Sequence, residues 1–162
     1  MKAWAWLTAK PGRWLVVLFV VAFLTFLALP ARAEQRLEVE AGSAVVRGAA
    51  PVLGLTWSCP GCGPVGTGYE LGFDLIGQKA TGAERNNIQV RGALVDAVGP
   101  VELGLGLFTQ NNPDPYVCAW GFHLLARYRF TDRLAIAWRH SSSADSCQPN
   151  TGRDLLAVAW RF

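Results

Sequence analysis

WGFHLLARYRF, residues 120–130, alternates large apolar side chains with glycine, histidine and arginine. Successive side chains of a β-strand point to opposite faces, so this alternation predicts a strand with one apolar and one polar face. No helical periodicity of similar length follows residue 33. The segment therefore indicates an all-β protein. Its apolar face would hold Trp120, Phe122, Leu124, Ala126, Tyr128 and Phe130, and its polar face Gly121, His123, Arg127 and Arg129.

Seven further segments show the same alternation and are separated by glycine, proline, asparagine and aspartate. Their lengths, near ten residues, suit tilted strands that cross a bilayer. The pattern predicts an eight-stranded antiparallel transmembrane β-barrel of the outer-membrane type. The predicted strands cover residues 36–45, 50–58, 67–77, 86–96, 100–109, 117–130, 133–143 and 153–162.

The composition of the polar face separates a membrane barrel from a soluble sandwich. A soluble sandwich would expose a polar face rich in lysine, threonine and serine, whereas this face carries glycine with acids and arginines in near balance. Such a face suits a narrow lumen, and the apolar face then meets lipid. An eight-stranded barrel is filled by its own side chains, so we expect no pore. The residues expected to pair in the lumen are Glu38, Glu40, Glu70, Asp74 and Glu102 with Arg91, Arg127, Arg129, Arg139 and Arg161.

The first 33 residues have the features of a secretory signal peptide. A basic start precedes an apolar run over 14–29 and an Ala-x-Ala cleavage pattern at 31–33. A transmembrane anchor is the alternative, but the run is short for a span and the cleavage pattern follows at once. The sequence therefore predicts a signal peptide over 1–33 and a barrel domain over 34–162.

The charge and the chain end bear on partners and location. The net charge of +3 is small and the mature part has no basic run, so nothing points to nucleic acid.

A terminal aromatic, Phe162, after an alternating strand is similar to the end signal of bacterial outer-membrane barrels. An even strand number places both termini in the periplasm. The connections near 78–86, 110–117 and 143–153 are then extracellular.

Four cysteines follow the predicted signal, and export favours disulfides. The Cys59-Pro-Gly-Cys62 motif also fits a redox pair or half of a zinc site. A thioredoxin-like site needs a βαβ context, and a zinc site needs two more ligands at suitable spacing. We therefore favour a local disulfide that pins a turn. Cys118 and Cys147, both near the extracellular rim, would form the second pair.

His140 and Ser142 carry the candidate chemistry. They are two positions apart on the seventh strand and therefore share one face, which is the predicted lipid face. If Ser142 lies opposite Asp154 in the last hairpin, His140 lies opposite Leu156, and the three polar side chains converge outside the barrel. A slip of one residue would send Asp154 to the lumen.

Serine, histidine and aspartate have the residue types of a nucleophile, its general base and an orienting acid. Polar groups on a bilayer-facing surface are costly and favour a functional interpretation. The alternative is a serine-rich loop entrance beside a harmless interfacial histidine. The functional interpretation predicts a substrate that lies in the outer leaflet and presents an ester at headgroup depth.

Residues 140–162 resemble the C-terminal signature of the PagL-type lipid A 3-O-deacylases. In that family a strand ends in H-x-S-N-A, followed by a P-N-x-G loop, an acidic residue and a terminal aromatic. The resemblance implies an eight-stranded barrel with its triad on the outer surface, which hydrolyses the acyl ester at the 3 position of lipid A without metal or cofactor. The matching residues are His140-Ser141-Ser142-Ser143-Ala144, Pro149-Asn150-Thr151-Gly152, Asp154 and Phe162.

By this resemblance Ser142 is the nucleophile, His140 the general base and Asp154 the orienting acid. Asn150 would donate to the oxyanion, a contact worth a few kcal/mol in the transition state. The chain departs from the family at two positions. Asp154 replaces a glutamate and is one methylene shorter, and Ser143 replaces an asparagine.

Lipid A or lipopolysaccharide in the outer leaflet of a Gram-negative outer membrane is the partner that this interpretation predicts. Four basic residues near the extracellular end have two interpretations, contacts for its phosphates or ordinary surface charges. The acyl-chain preference and the oligomeric state, a homodimer included, are left open. The four basic residues are Arg47, Lys79, Arg85 and Arg153.

Two other functions compete with this one. An outer-membrane phospholipase-type esterase also uses a histidine and a serine two apart, but its known examples have more strands and an asparagine as third member. A non-catalytic structural barrel, or a degenerate deacylase, would not depend on His140 or Ser142.

Overall fold

The computed structural model describes residues 34–45, 49–77, 86–111, 117–143 and 151–162. The predicted signal peptide lies outside these ranges. None of the described residues forms a helix long and apolar enough to cross a membrane. The strands are β1 (Arg36–Val45), β2 (Ala49–Cys59), β3 (Gly68–Ile76), β4 (Asn87–Val98), β5 (Val101–Gln110), β6 (Trp120–Arg129), β7 (Leu134–Ser142) and β8 (Arg153–Arg161).

The eight strands form a closed antiparallel barrel. Each strand pairs with the next, and β8 pairs with β1 to close the sheet. This confirms the predicted fold. We call the end that carries the connections 46–48, 77–86, 111–119 and 143–152 the upper end. The lower end carries the connections 60–67, 99–100 and 130–133, together with the start of β1 and the end of β8.

The predicted strand boundaries agree with the structure to within three residues. β4 continues to Val98 because residues 99–100 form a two-residue turn, in which Gly99 adopts a φ of +60° that favours glycine. β6 begins at Trp120, three residues later than predicted. The carbonyls of Val117 and Cys118 accept hydrogen bonds from the Gln110 side chain instead, at 2.9 and 2.8 Å.

The two faces of the barrel are inverted relative to a soluble protein. Charged side chains fill the lumen, whereas large apolar side chains face outward along every strand. This is the arrangement of a barrel that is solvated by lipid. Outward examples are Leu53, Phe73, Leu94, Leu105, Leu107, Trp138, Leu156 and Trp160.

Arginines and carboxylates form one ion-pair network in the lumen, as predicted. Arg127 lies 2.7 Å from Glu70 and 2.7 Å from Glu102, and it is also within 4 Å of Glu38 and Glu40. Mutual compensation is what makes such buried charges tolerable. The remaining pairs are Arg91 with Glu40, Glu70 and Asp74, Arg129 with Glu38 and Glu102, Arg139 with Glu40 and Glu70, and Arg161 with Glu38 and Glu102.

Glycine on the lumen face provides the space that this network needs. A Cβ atom at Gly72 would lie 2.1 Å from the guanidinium carbon of Arg91. Arg91 bonds Asp74 at 2.9 Å and Glu70 at 2.5 Å from this position. The small residues of the lumen therefore leave the space that its ion-paired side chains fill.

Arg127→Met should destabilise the barrel by about 3–5 kcal/mol, because it leaves the five carboxylates of the network with only four arginines. Urea unfolding of the barrel refolded in lipid vesicles measures this loss. Arg133→Met, an exposed arginine in the lower turn, is the matched control and should change stability by no more than about 0.5 kcal/mol. Equal effects of the two substitutions would contradict the role of the network.

The Cys59–Cys62 disulfide is present at the lower end. The local pairing predicted for this motif is thus confirmed. Cys118 is also disulfide-bonded. Its predicted partner, Cys147, lies outside the described residues, so that pairing stays a prediction.

Candidate active site

The last hairpin brings His140 and Asp154 directly opposite each other. Their cross-strand pairing replaces the predicted register, in which Ser142 opposed Asp154 and His140 opposed Leu156. The shift is two residues, so both side chains keep the outward face. Trp138, instead of His140, lies opposite Leu156.

The imidazole of His140 and the carboxylate of Asp154 are hydrogen-bonded. The distance between Nδ1 and Oδ1 is 3.0 Å, and the side chains are 30% and 47% exposed. An ionised carboxylate can only accept, so Nδ1 is the donor and Nε2 of a neutral ring is left as the acceptor. This is the tautomer that a general base needs in order to take a proton from a serine.

Ser142 is the last residue of β7 and shares the outward face with His140. It pairs with Phe122 of β6, two positions above the pair formed by His140 and Leu124. Its side chain is partly exposed. The structure thus places all three residues predicted to be catalytic on one outer patch at the upper end.

Trp138 and Gly152 confine the imidazole ring. The Trp138 ring stacks against His140 with centroids 6.1 Å apart and an interplanar angle of 22°. Gly152 has a φ of +73°, and a Cβ atom there would lie 2.5 Å from Cε1 and 2.8 Å from Nε2 of His140. Gly152 belongs to the P-N-x-G motif, but the sequence alone did not indicate that its missing side chain makes room for the base.

Gly152→Ala should displace the His140 ring, because both the space and the positive φ exclude a side chain. We expect about a 100-fold loss of catalytic rate from a displacement near 1 Å. The rate of ester hydrolysis per folded barrel measures this loss. Gly61→Ala at the lower end is the control, since Gly61 also has a positive φ but nothing lies within 4 Å of its Cβ position. A loss of the same size in both variants would contradict the steric role of Gly152.

Two residues near the site face the lumen. Arg153, interpreted from the sequence as a contact for lipid phosphates or an ordinary surface charge, is buried inside and bonds the Gln110 side chain at 3.1 Å. Both interpretations were wrong, because the residue next to the outward Asp154 must point inward. Ser143 is also buried, and its Oγ accepts a hydrogen bond from the Cys118 N–H at 2.7 Å. The predicted oxyanion donor Asn150, and the basic residues Arg47, Lys79 and Arg85, lie outside the described residues.

An apolar depression of about 180 Å³ lies on the outer surface just below the His140–Asp154 pair. The row Ala126, Trp138 and Leu156 crosses it, one row below the row that contains Leu124, His140 and Asp154. The small Ala126 side chain lies between larger neighbours and leaves the hollow. Its walls include Val101, Ala126, Tyr128, Ile136, Trp138 and Leu156.

No family model and no curated protein sequence matches the chain. Among solved structures, the chain is similar to one described as the crystal structure of the outer membrane enzyme PagL. The two share 14% sequence identity with a TM-score of 0.56, over 78% of this chain and 98% of that chain. At this identity the likeness shows the fold alone: the chain folds as an eight-stranded barrel like that of the outer membrane enzyme PagL.

Proposed function

We propose that this chain is an outer-membrane ester hydrolase that removes the 3-O-linked acyl chain from lipid A. The observation that carries the proposal is the 3.0 Å bond between His140 Nδ1 and Asp154 Oδ1, on the same outward face as Ser142. A hydrogen-bonded acid and base beside a serine is the arrangement that activates a hydroxyl.

In the proposed reaction the Oγ of Ser142 attacks the ester carbonyl while its proton passes to Nε2 of His140. Asp154 accepts from Nδ1 and stabilises the imidazolium that forms. When the tetrahedral intermediate collapses, the sugar oxygen leaves with the proton from His140. Water, activated by the same histidine, then hydrolyses the acyl-serine and releases the fatty acid. Asn150 is the oxyanion donor that the family resemblance assigns.

The position of the patch supports a membrane lipid as the substrate. The His140–Asp154 pair lies close to the rim of the barrel, on a surface whose large side chains are apolar. An ester reaches that surface only from within the lipid layer. The depression below the pair offers the released acyl chain an apolar surface, where each buried methylene contributes about 0.8 kcal/mol.

Orientation selects the leaflet. With the termini and short turns in the periplasm, as in bacterial barrels, the upper end faces outward and the patch meets the outer leaflet. Lipid A is the lipid of that leaflet, in keeping with the resemblance of residues 140–162. Because Ser142 and His140 lie on the lipid face, the ester that they would hydrolyse belongs to a lipid of that leaflet.

Purified protein in detergent, offered lipid A and diacyl phospholipid in separate reactions, tests the proposal. We expect mass spectrometry to show the loss of one 3-hydroxy acyl group from lipid A, at the 3 position, and intact phospholipid. Cleavage of phospholipid alone would replace the proposal with the phospholipase-type alternative. Intact lipid in both reactions would favour a non-catalytic barrel.

A further inference from the structure

A group of polar side chains fills the upper lumen directly behind the outward patch. We call it the upper clamp. Three of its members are inward neighbours of the site residues: Ser141 and Ser143 flank Ser142, and Arg153 precedes Asp154. All of its members are buried. The upper clamp consists of Asn87, Gln89, Gln110, Ser141, Ser143 and Arg153.

Arg153 ties the start of β8 to the opposite wall of the barrel. Its Nη2 donates to Oε1 of Gln89 on β4 and to Oε1 of Gln110 on β5, the latter at 3.1 Å. Nε2 of Gln89 in turn donates to Oγ of Ser141 at 3.5 Å. The β7–β8 ladder ends at the pair formed by Ser141 and Arg153. The clamp therefore holds the last rung of the ladder that aligns His140 with Asp154.

Gln110 extends the clamp to the other side of Ser142. Oε1 of Gln110 accepts from Asn87 at 2.6 Å, and its Nε2 donates to the carbonyls of Val117 and Cys118. The Cys118 N–H donates to Oγ of Ser143 at 2.7 Å. Ser141 and Ser143, the two inward neighbours of Ser142, are thus both held by hydrogen bonds inside the barrel.

We infer that the upper clamp positions the catalytic residues of the proposed hydrolase from inside the barrel, with Arg153 and Gln89 as its positioning residues. The outer side of the patch must stay open to its lipid substrate, so the protein groups that hold the strand end have to lie on the other face. Alternate residues of the strands reach such groups in the lumen. The inference rests on the proposed function for its catalytic consequence, but the alignment of His140 with Asp154 is testable without it.

Arg153→Met, with Arg161→Met as its matched control, tests the inference. Both arginines face the lumen from β8 and both substitutions remove one positive charge, but Arg161 is only partly buried, lies at the lower end and bonds Glu38 at 2.9 Å. Gln89→Met is a second variant that removes the clamp contacts without changing charge. Turnover of lipid A per folded barrel gives kcat and KM, with the folded fraction taken from heat-modifiable mobility in gels.

We expect Arg153→Met and Gln89→Met to lower kcat by about 10- to 100-fold at unchanged KM, because a shift of the site near 1 Å costs about 100-fold. Arg161→Met should lower stability but keep kcat per folded barrel. Arg153→Lys should restore part of the rate, since it keeps a donor. A kcat of Gln89→Met or Arg153→Met equal to that of Arg161→Met would overturn the inference.

Histidine NMR supplies a readout that does not need activity. The chain has two histidines, so ring signals of ¹⁵N-histidine protein are assigned by the loss of one set in His140→Asn. The His140 signals should shift or broaden in Arg153→Met and Gln89→Met, and stay unchanged in Arg161→Met. Unchanged His140 signals in both clamp variants would refute the positioning role. A wild-type protein without ester hydrolysis would refute the proposed function, and the NMR comparison would still decide the inference.

Discussion

Ser142→Ala and His140→Asn should each reduce ester hydrolysis by roughly 10⁴- to 10⁶-fold, while the barrel still folds. In a serine–histidine unit the nucleophile and its base act together, so the loss of either removes nearly the whole catalytic advantage. Neither side chain belongs to the lumen network that holds the barrel. Hydrolysis of lipid A per folded barrel, followed by mass spectrometry of the released fatty acid, measures the loss.

Matched controls exist on the same barrel. Ser43, a partly exposed serine, lies opposite Leu156 on the outer face of β1. Ser43→Ala removes a lipid-facing hydroxyl elsewhere and should keep the rate of the unsubstituted protein. His123→Asn removes the buried lumen histidine and should keep the rate per folded barrel. Activity that persists in Ser142→Ala would assign the chemistry to another group.

Asp154→Asn should lower kcat by about 10²- to 10⁴-fold. An amide can donate to Nδ1 and so stabilises the wrong imidazole tautomer, an exchange that costs roughly 10⁴ in a serine protease triad. The Asp154 carboxylate is about half exposed, so solvent weakens its interaction with the imidazole. The expected loss therefore extends down to 10²-fold. The pH–rate profile and kcat of the folded variant measure the effect.

Asp154→Glu is the informative companion. Directly opposed cross-strand residues have Cβ atoms about 4.5–5.5 Å apart, so the short aspartate side chain reaches His140 without any strand shift. We therefore expect Asp154→Glu, which restores the glutamate of the resembled family, to change kcat by less than about 10-fold. A rate as low as that of Asp154→Asn would show that the site is built for the shorter acid.

The fold was predictable because alternation with a period of two is present in every strand. The partition of residues such as Leu105 and Glu70 between lipid and lumen followed from it directly, and the ion-pair residues of the lumen were predicted as a set. The register between β7 and β8 could not be predicted, because a shift of two residues leaves every face unchanged. Only the closed ladder distinguishes Ser142 from His140 as the neighbour of Asp154.

The sequence did contain the signal that places Arg153. If Asp154 faces lipid, its neighbour Arg153 must face the lumen, so Arg153 cannot contact a phosphate on the outer surface. The partners of Arg153 were beyond prediction, because Gln89 and Gln110 belong to strands that are far away in sequence. The role of Gly152 also required coordinates, since it depends on where the His140 ring lies.

Mass spectrometry of lipid A from a Gram-negative host that expresses the chain tests the central claim most directly. Cells with the unsubstituted protein should carry lipid A that lacks the 3-O-linked acyl group, and cells with Ser142→Ala should keep the acylation pattern of the host. Folded barrel in the outer membrane must be shown in both strains. Unchanged lipid A in the presence of the folded, unsubstituted protein would contradict the account.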